Sequence, residues 1–268
     1  MMSRRGVLAA GAGLIAAACG ASARGVAHPL LPDHGQPHPT TAPTLSPPTT
    51  ASIGSTLTKV PALAAIPPAT KPAFYVGNII ESPPASAVAL TIDDGPDPRY
   101  TPEVLATLAT YGVKATFCVV GIHANLYPAL LVDILDQGHT LTNHSMTHPQ
   151  PFANLPPSRL QNEIVGGLEA IYDATGHVTS TFRSPGGDWS PAIYTLLGEL
   201  GMAPIDWDVD PRDYARPGVA TITAKLLAAR PGDILLCHDG GGNRSETVTA
   251  LRTVIPTLKR RGLTFVTL

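Results

Sequence analysis

The stretch Ala87-Val88-Ala89-Leu90-Thr91-Ile92-Asp93-Asp94-Gly95-Pro96-Asp97-Pro98 decides the fold. Residues 87–92 form a short apolar, β-prone run, which reads as a buried strand, and the Gly/Pro cluster that follows ends it in a turn. Two carboxylates stand at the end of that strand. No glycine-rich phosphate loop follows, which argues against a dinucleotide-binding fold.

Outward from this strand, apolar runs alternate with amphipathic ones. Strands are predicted over 115–120, 139–142, 181–183, 203–207, 233–237 and 264–267. Helices are predicted over 102–111, 124–137, a longer stretch capped by Ser158, 191–200, 220–229 and 245–261, the last bent at Pro256. About seven β/α alternations predict an α/β protein with a parallel sheet and helices outside. A closed or nearly closed barrel is the expected form, with an open doubly wound sheet as the alternative.

The rest of the 268-residue chain reads differently. Residues 1–20 read as an export signal. Arg4-Arg5 precede an apolar run too short to span a membrane, and Ser3-Arg4-Arg5-Gly6-Val7-Leu8 resembles a twin-arginine signal. Ala16-Ala17-Ala18-Cys19-Gly20 resembles a lipobox, which implies a lipid anchor on Cys19, a membrane contact through that anchor alone, and a place in the cell envelope; ordinary cleavage and secretion is the alternative. Residues 21–72, rich in Pro, Thr and Ala, read as a disordered, semi-rigid linker. Residues 73–268 are left as one catalytic domain. Net charge is -2 with 14% charged residues, so nucleic acid is not an expected partner. Cys118 and Cys237 lie inside apolar runs and are expected to be free, buried thiols.

Polar clusters fall just after the predicted strands. Asp93-Asp94 follow the first, His144 and His148 the third, Arg183 the fourth, Asp213 the fifth, and His238-Asp239 the sixth. In a parallel barrel all of them would gather on the rim where chemistry is found. Asp93 and Asp94, as neighbours on an extended chain, are expected to point opposite ways and do different work. His144 and His148, four apart, would share a face on a helical turn and bind one cation. One Asp completes that site while the other takes a proton from an activated water, and His238 is the natural acid. His123, His139 and His177 are read as structural, Trp189 and Trp207 as rim or core packing, with substrate contact the alternative for Trp189, and Gly240-Gly241-Gly242 as a mobile loop admitting polymer.

Five strings together resemble the motifs of the polysaccharide deacetylases, the NodB-homology or carbohydrate esterase family 4 domain. They are Thr91-Ile92-Asp93-Asp94-Gly95-Pro96, Asn143-His144-Ser145-Met146-Thr147-His148-Pro149, Arg183-Ser184-Pro185-Gly186-Gly187, Asp210-Pro211-Arg212-Asp213-Tyr214 and Leu235-Leu236-Cys237-His238-Asp239. The resemblance implies a distorted (β/α)7-type barrel and a hydrolase removing acetyl groups from N-acetylated sugars of a peptidoglycan-like or chitin-like polymer. It implies Asp93 as base, Asp94, His144 and His148 as ligands of a divalent metal (zinc first, cobalt or another ion next), and His238 as acid. Asp213 would support His238, Arg183 would hold Asp93, and Leu236, Gly186 and Tyr214 would border the substrate. Gly186 stands where the family usually has an aromatic residue, and Tyr214 where Trp is common, which implies an altered substrate preference. The alternatives are an O-acetyl esterase of a xylan-type polymer and a non-catalytic glycan-binding lipoprotein.

Overall fold

The structure is a computed structural model and describes residues 59–268. The signal and most of the linker therefore lie outside the described residues. A seven-stranded parallel sheet carries the fold. Its centre is β1, Ala87–Asp93, in which every residue is buried. On one side follow β2 (Thr116–Val119), β3 (Thr140–Asn143), β4 (Thr181–Phe182) and β5 (Ala203–Pro204). On the other side lies β6 (Ile234–His238), while β7 (Thr264–Val266) pairs with the start of β1. Register sets Asp93 beside Cys118 on β2 and beside His238 on β6.

The sheet curls until its two sides meet. The predicted strand over 203–207 is shortened to Ala203–Pro204, since Pro204 has no N–H to extend a ladder. The chain beyond it bridges to β6 instead, with Val209 pairing Leu235 and the Leu236 N–H donating to Val209 O at 2.9 Å. Ala73 and Tyr75 bridge Ile205 and Asp233 and fill the remaining gap. A distorted barrel results, closed on one side by single bridges rather than by a full ladder.

The helices cover the outside. Helix α1 (Tyr100–Tyr111) opens where Asp97 Oδ1 accepts the N–H groups of Arg99 and Tyr100, and closes on Gly112 in the left-handed region. The predicted 124–137 helix is two helices, α2 (Gly121–Leu126) and α3 (Pro128–Asp136). Pro128 disfavours helical backbone at the residue before it, and Tyr127 duly sits at φ -132°, ψ 52°. Helix α4 (Pro157–Thr175) starts on a proline rather than a Ser158 cap and buries Leu160, Ile164, Leu168 and Ile171. Helices α5 (Pro191–Leu200), α6 (Val219–Leu226) and α7 (Ser245–Arg260) complete the shell, and α7 runs on through Pro256.

The end of the segment read as linker belongs to this body. Val60 is buried with Phe152, Leu160, Ile164 and Leu197. The Ile66 N–H donates to Gly198 O at 2.9 Å, and the Ala73 N–H to Pro204 O at 2.9 Å. Such contact needs bare backbone opposite. A Cβ on Gly198 would lie 2.9 Å from Ile66 O, and one on Gly201, at φ +70°, 2.5 Å from Ala64 O. Substituting Gly198→Ala or Gly201→Ala should therefore push segment 60–68 off α5 and cost roughly 1–3 kcal/mol, as overpacking does. Denaturant unfolding together with proteolytic sensitivity around residue 66 checks this; unchanged stability in both variants would contradict it.

Candidate active site

The carboxyl ends of the strands enclose a cavity of about 390 Å³. It is lined by Asp93, Asp94, His144, His148, Gly186, Tyr214, Leu236 and His238 from the sequence reading, and also by Gln150, Trp207 and Asp210. Arg183 and Asp213 stand behind this lining and touch two of its members.

Asp93 ends β1. Arg183, fully buried just after β4, donates through Nη1 to Asp93 Oδ1 at 2.7 Å and to Thr91 Oγ1 at 2.7 Å, and through Nη2 to Asp206 O at 2.8 Å. Burial alone would lower the Arg183 pKa, but the charge of Asp93 more than offsets it. A buried guanidinium with a carboxylate in contact leaves neither group without a partner in the interior. Asp206 is pushed up to about 6, chiefly by burial, although Trp189 Nε1 donates to its Oδ2 at 2.9 Å.

Asp94 departs from the expectation of opposed neighbours. Its φ is +73°, so the extended pattern stops at Asp93 and both carboxylates face the same cavity. They differ by partner instead. Asp94 Oδ1 lies 3.3 Å from His148 Nε2 and 3.6 Å from His144 Nε2, and it is buried without a hydrogen-bond partner. The two histidines do not share a helical turn either. Residues 144–148 form a loop, with Ser145 at φ +69° and His148 at φ +55°, and the imidazoles meet edge to face at 4.9 Å. The Ser145 N–H donates to Asn143 Oδ1, and Ser145 Oγ accepts the His148 N–H, so polar side chains of the loop itself hold its shape.

These three residues fit a divalent cation. Their ligand atoms lie within 4.8 Å of one another. The Arg183 carbonyl accepts from His144 Nδ1 at 2.8 Å, which puts the proton on Nδ1 and turns the Nε2 lone pair inward. Two imidazole nitrogens, one carboxylate oxygen and an open side match a catalytic site for zinc or a similar ion. Burial alone would raise the Asp94 pKa, but the imidazoles of His144, His238 and His148 around it hold it below the ordinary carboxylate range.

His238 ends β6. Its Nδ1 donates to Asp213 Oδ1 at 2.7 Å, and its N–H to Asp213 Oδ2 at 2.9 Å. Thr247 Oγ1 donates to the same Oδ2 at 2.7 Å. Burial opposes the charged imidazole, but Asp213 outweighs it and the His238 pKa rises to about 9. Tyr214 lies edge-on to the His238 ring at 5.5 Å.

A sequence model of the polysaccharide deacetylases matches residues 81–205. A peptidoglycan-N-acetylglucosamine deacetylase of Bacillus cereus is 40% identical over 183 residues, which cover 67% of this chain and 85% of that protein. The chain belongs to the polysaccharide deacetylase family. A chitooligosaccharide deacetylase of a Bradyrhizobium strain is 39% identical over 189 residues, covering 66% of this chain and 86% of its own. The crystal structure of a peptidoglycan N-acetylglucosamine deacetylase superposes with a TM-score of 0.68 at 32% identity, over 73% of this chain and 90% of that one.

Several residues of this deacetylase site carry roles that the sequence reading missed. His123 Nδ1 donates to Asp94 O at 2.8 Å and so supports the left-handed backbone there. Gln150, two residues beyond His148, stands over Gly186, whose Cβ would come 3.0 Å from Gln150 Nε2. Trp207 lines the cavity, whereas Trp189 stacks on Tyr194 at 5.4 Å, away from it. His139 is structural, accepting the Ala115 N–H at 3.1 Å, and Cys118 and Cys237 are free and buried.

The His238 pairing has a pH signature. A group raised from 6.5 to about 9 in the folded protein adds stability that is complete below about pH 6.5 and fades as pH rises through about 9. Asp213→Asn should return the imidazole toward 6.5 and abolish that alkaline loss of stability. Imidazole titration by NMR, alongside melting curves across pH 6–10, is the check; a His238 pKa still near 9 in the variant would refute the assignment.

Proposed function

We propose that this protein removes acetyl groups from N-acetylated sugars of a polysaccharide, with peptidoglycan or a chitin-like polymer as substrate. The observation that carries the reading is the adjacency of Asp93 and His238, partnered across β1 and β6, in the cavity that also holds the Asp94, His144 and His148 cluster. A base and an acid thus share one cavity with one cation site. A divalent cation there, zinc by its donor set, would supply Lewis acidity that lowers the pKa of water and polarises the acyl carbonyl.

The chain's own groups divide the remaining work. Asp93, aimed by Arg183, takes the proton of the attacking water as oxygen adds to the acyl carbon. Gly186, which presents backbone only, offers its N–H to the developing oxyanion. His238, charged because of Asp213, gives its proton to the sugar nitrogen as the C–N bond breaks, releasing acetate and an amine. Leu236 lines the pocket for the acetyl methyl, while Trp207 and Tyr214 border the sugar. The exported, envelope-bound setting belongs to the same proposal, and Arg4-Arg5 with the Ala16–Cys19 stretch is what supports it. A Cys19→Ala change should move the protein from the membrane to the soluble fraction.

Acetate release from chitooligosaccharides, peptidoglycan and acetylxylan, with and without chelator, tests the activity. Wild-type protein should release acetate from the N-acetylated polymers and stop with chelator. Asp93→Asn should keep zinc binding and lose at least about a hundredfold in rate, on the scale of lost general-base catalysis; His144→Ala should lose both. Release from acetylxylan alone would transfer the reading to an O-acetyl esterase, and release from none to glycan binding without cleavage.

A further inference from the structure

Beyond His238 the chain runs through Asp239-Gly240-Gly241-Gly242-Asn243-Arg244. This loop is tied down rather than free to admit polymer. The N–H groups of Asp239 and Gly240 both donate to Asp93 O. A Cβ on Gly240 would collide with Asp94 O, and one on Gly241, at φ +69°, would lie 2.9 Å from Asp94 Oδ2 and 3.2 Å from Arg244 Nη2. Positions 240 and 241 are glycine because the Asp94 backbone and side chain press against them.

Arg244 closes the wrap. It is 4% exposed, and none of the proposed chemical steps uses it. Its Nε donates to Gly240 O at 2.6 Å, its Nη2 to Gly241 O at 3.1 Å, and its Nη1 to Tyr214 O at 3.3 Å. Its Nη2 also lies 4.0 Å from Asp94 Oδ2. The two oxygens of Asp94 are thus divided. Oδ1, without a hydrogen-bond partner, faces the imidazoles of His144 and His148, and Oδ2 faces the guanidinium.

We infer that Arg244 is a positioning residue for the cation site, holding Asp94 so that Oδ1 alone is presented as a ligand. A carboxylate on a free torsion can chelate with both oxygens or turn away. A buried positive charge beside one oxygen selects the orientation that leaves the other for the ion. The same guanidinium joins the Asp94 wrap to the Tyr214 backbone, so the cation site and the loop beside the acid share one anchor.

The inference rests on reading Asp94, His144 and His148 as cation ligands, and the test keeps the two apart. Zinc affinity is measured on the full-length protein by competition with a chromogenic chelator, well below the melting temperature of each metal-free variant, so that loss of folding is scored separately. Arg244→Met should weaken zinc binding about 10- to 100-fold, the usual size of an outer-layer effect on a metal ligand. Arg244→Lys, which keeps the charge but not the fork to Tyr214, should recover most of that affinity whatever its melting temperature. In an Asp94→Asn background, Arg244→Met should add no further loss. Equal zinc affinity in wild type and Arg244→Met, or a Lys variant no better than Met, would overturn the inference. Wild type binding zinc no tighter than His144→Ala would instead remove the cation site itself, and the inference with it.

Discussion

A buried guanidinium holds this barrel and its site together. Arg183 is wholly inside, and its Nη atoms reach Asp93, Thr91 and the Asp206 carbonyl from one planar fork. Those partners lie on β1 and on the chain just after β5, so one side chain spans the sheet interior at the level of the site. Its backbone carbonyl meanwhile accepts from His144 Nδ1. Breaking such a pair by removing one partner strands the other charge in the interior, at a cost of roughly 3–5 kcal/mol. Arg183 therefore couples stability to chemistry, since the guanidinium that aims Asp93 is the charge that needs Asp93 to remain buried.

Around that pair, the site is shaped by backbone that L residues seldom adopt. Asp94, Ser145 and His148 all have positive φ, and each lies in a turn that leaves a strand end. Strain of this kind persists only where the surroundings over-determine it. Here the restraints are visible: His123 on the Asp94 carbonyl, Asn143 and Ser145 within the second loop, and Gly240 and Gly241 packed against Asp94. The resulting cluster gathers three potential ligand atoms, with Asp93 and His238 nearby on neighbouring strands.

Much of this was legible in the sequence, and the reason is periodicity. Alternating apolar runs and helical stretches, with polar residues confined to strand ends, specify a parallel sheet whose carboxyl edge collects Asp93, His144, Arg183 and His238. The misses share a cause as well. The separation of His144 and His148 suggests a helical turn, but spacing carries no backbone angles, and the positive φ values at 145 and 148 are set by contacts that the spacing does not reveal. Gln150, Thr247 and Arg244 carry no motif of their own; each matters only because a distant segment passes beside it.

The sequence by itself determined the order of strands and helices, the chemistry available at the strand ends, and the kinship with the deacetylases. Local propensity and side-chain chemistry are enough for these. Tertiary structure alone decided that segment 60–73 completes the body, that the two Asp carboxylates face one cavity, that Trp207 rather than Trp189 lines it, and that Arg244 stands behind Asp94. Each of these depends on how residues far apart in the chain come to lie within a few ångströms, which packing settles and local sequence cannot.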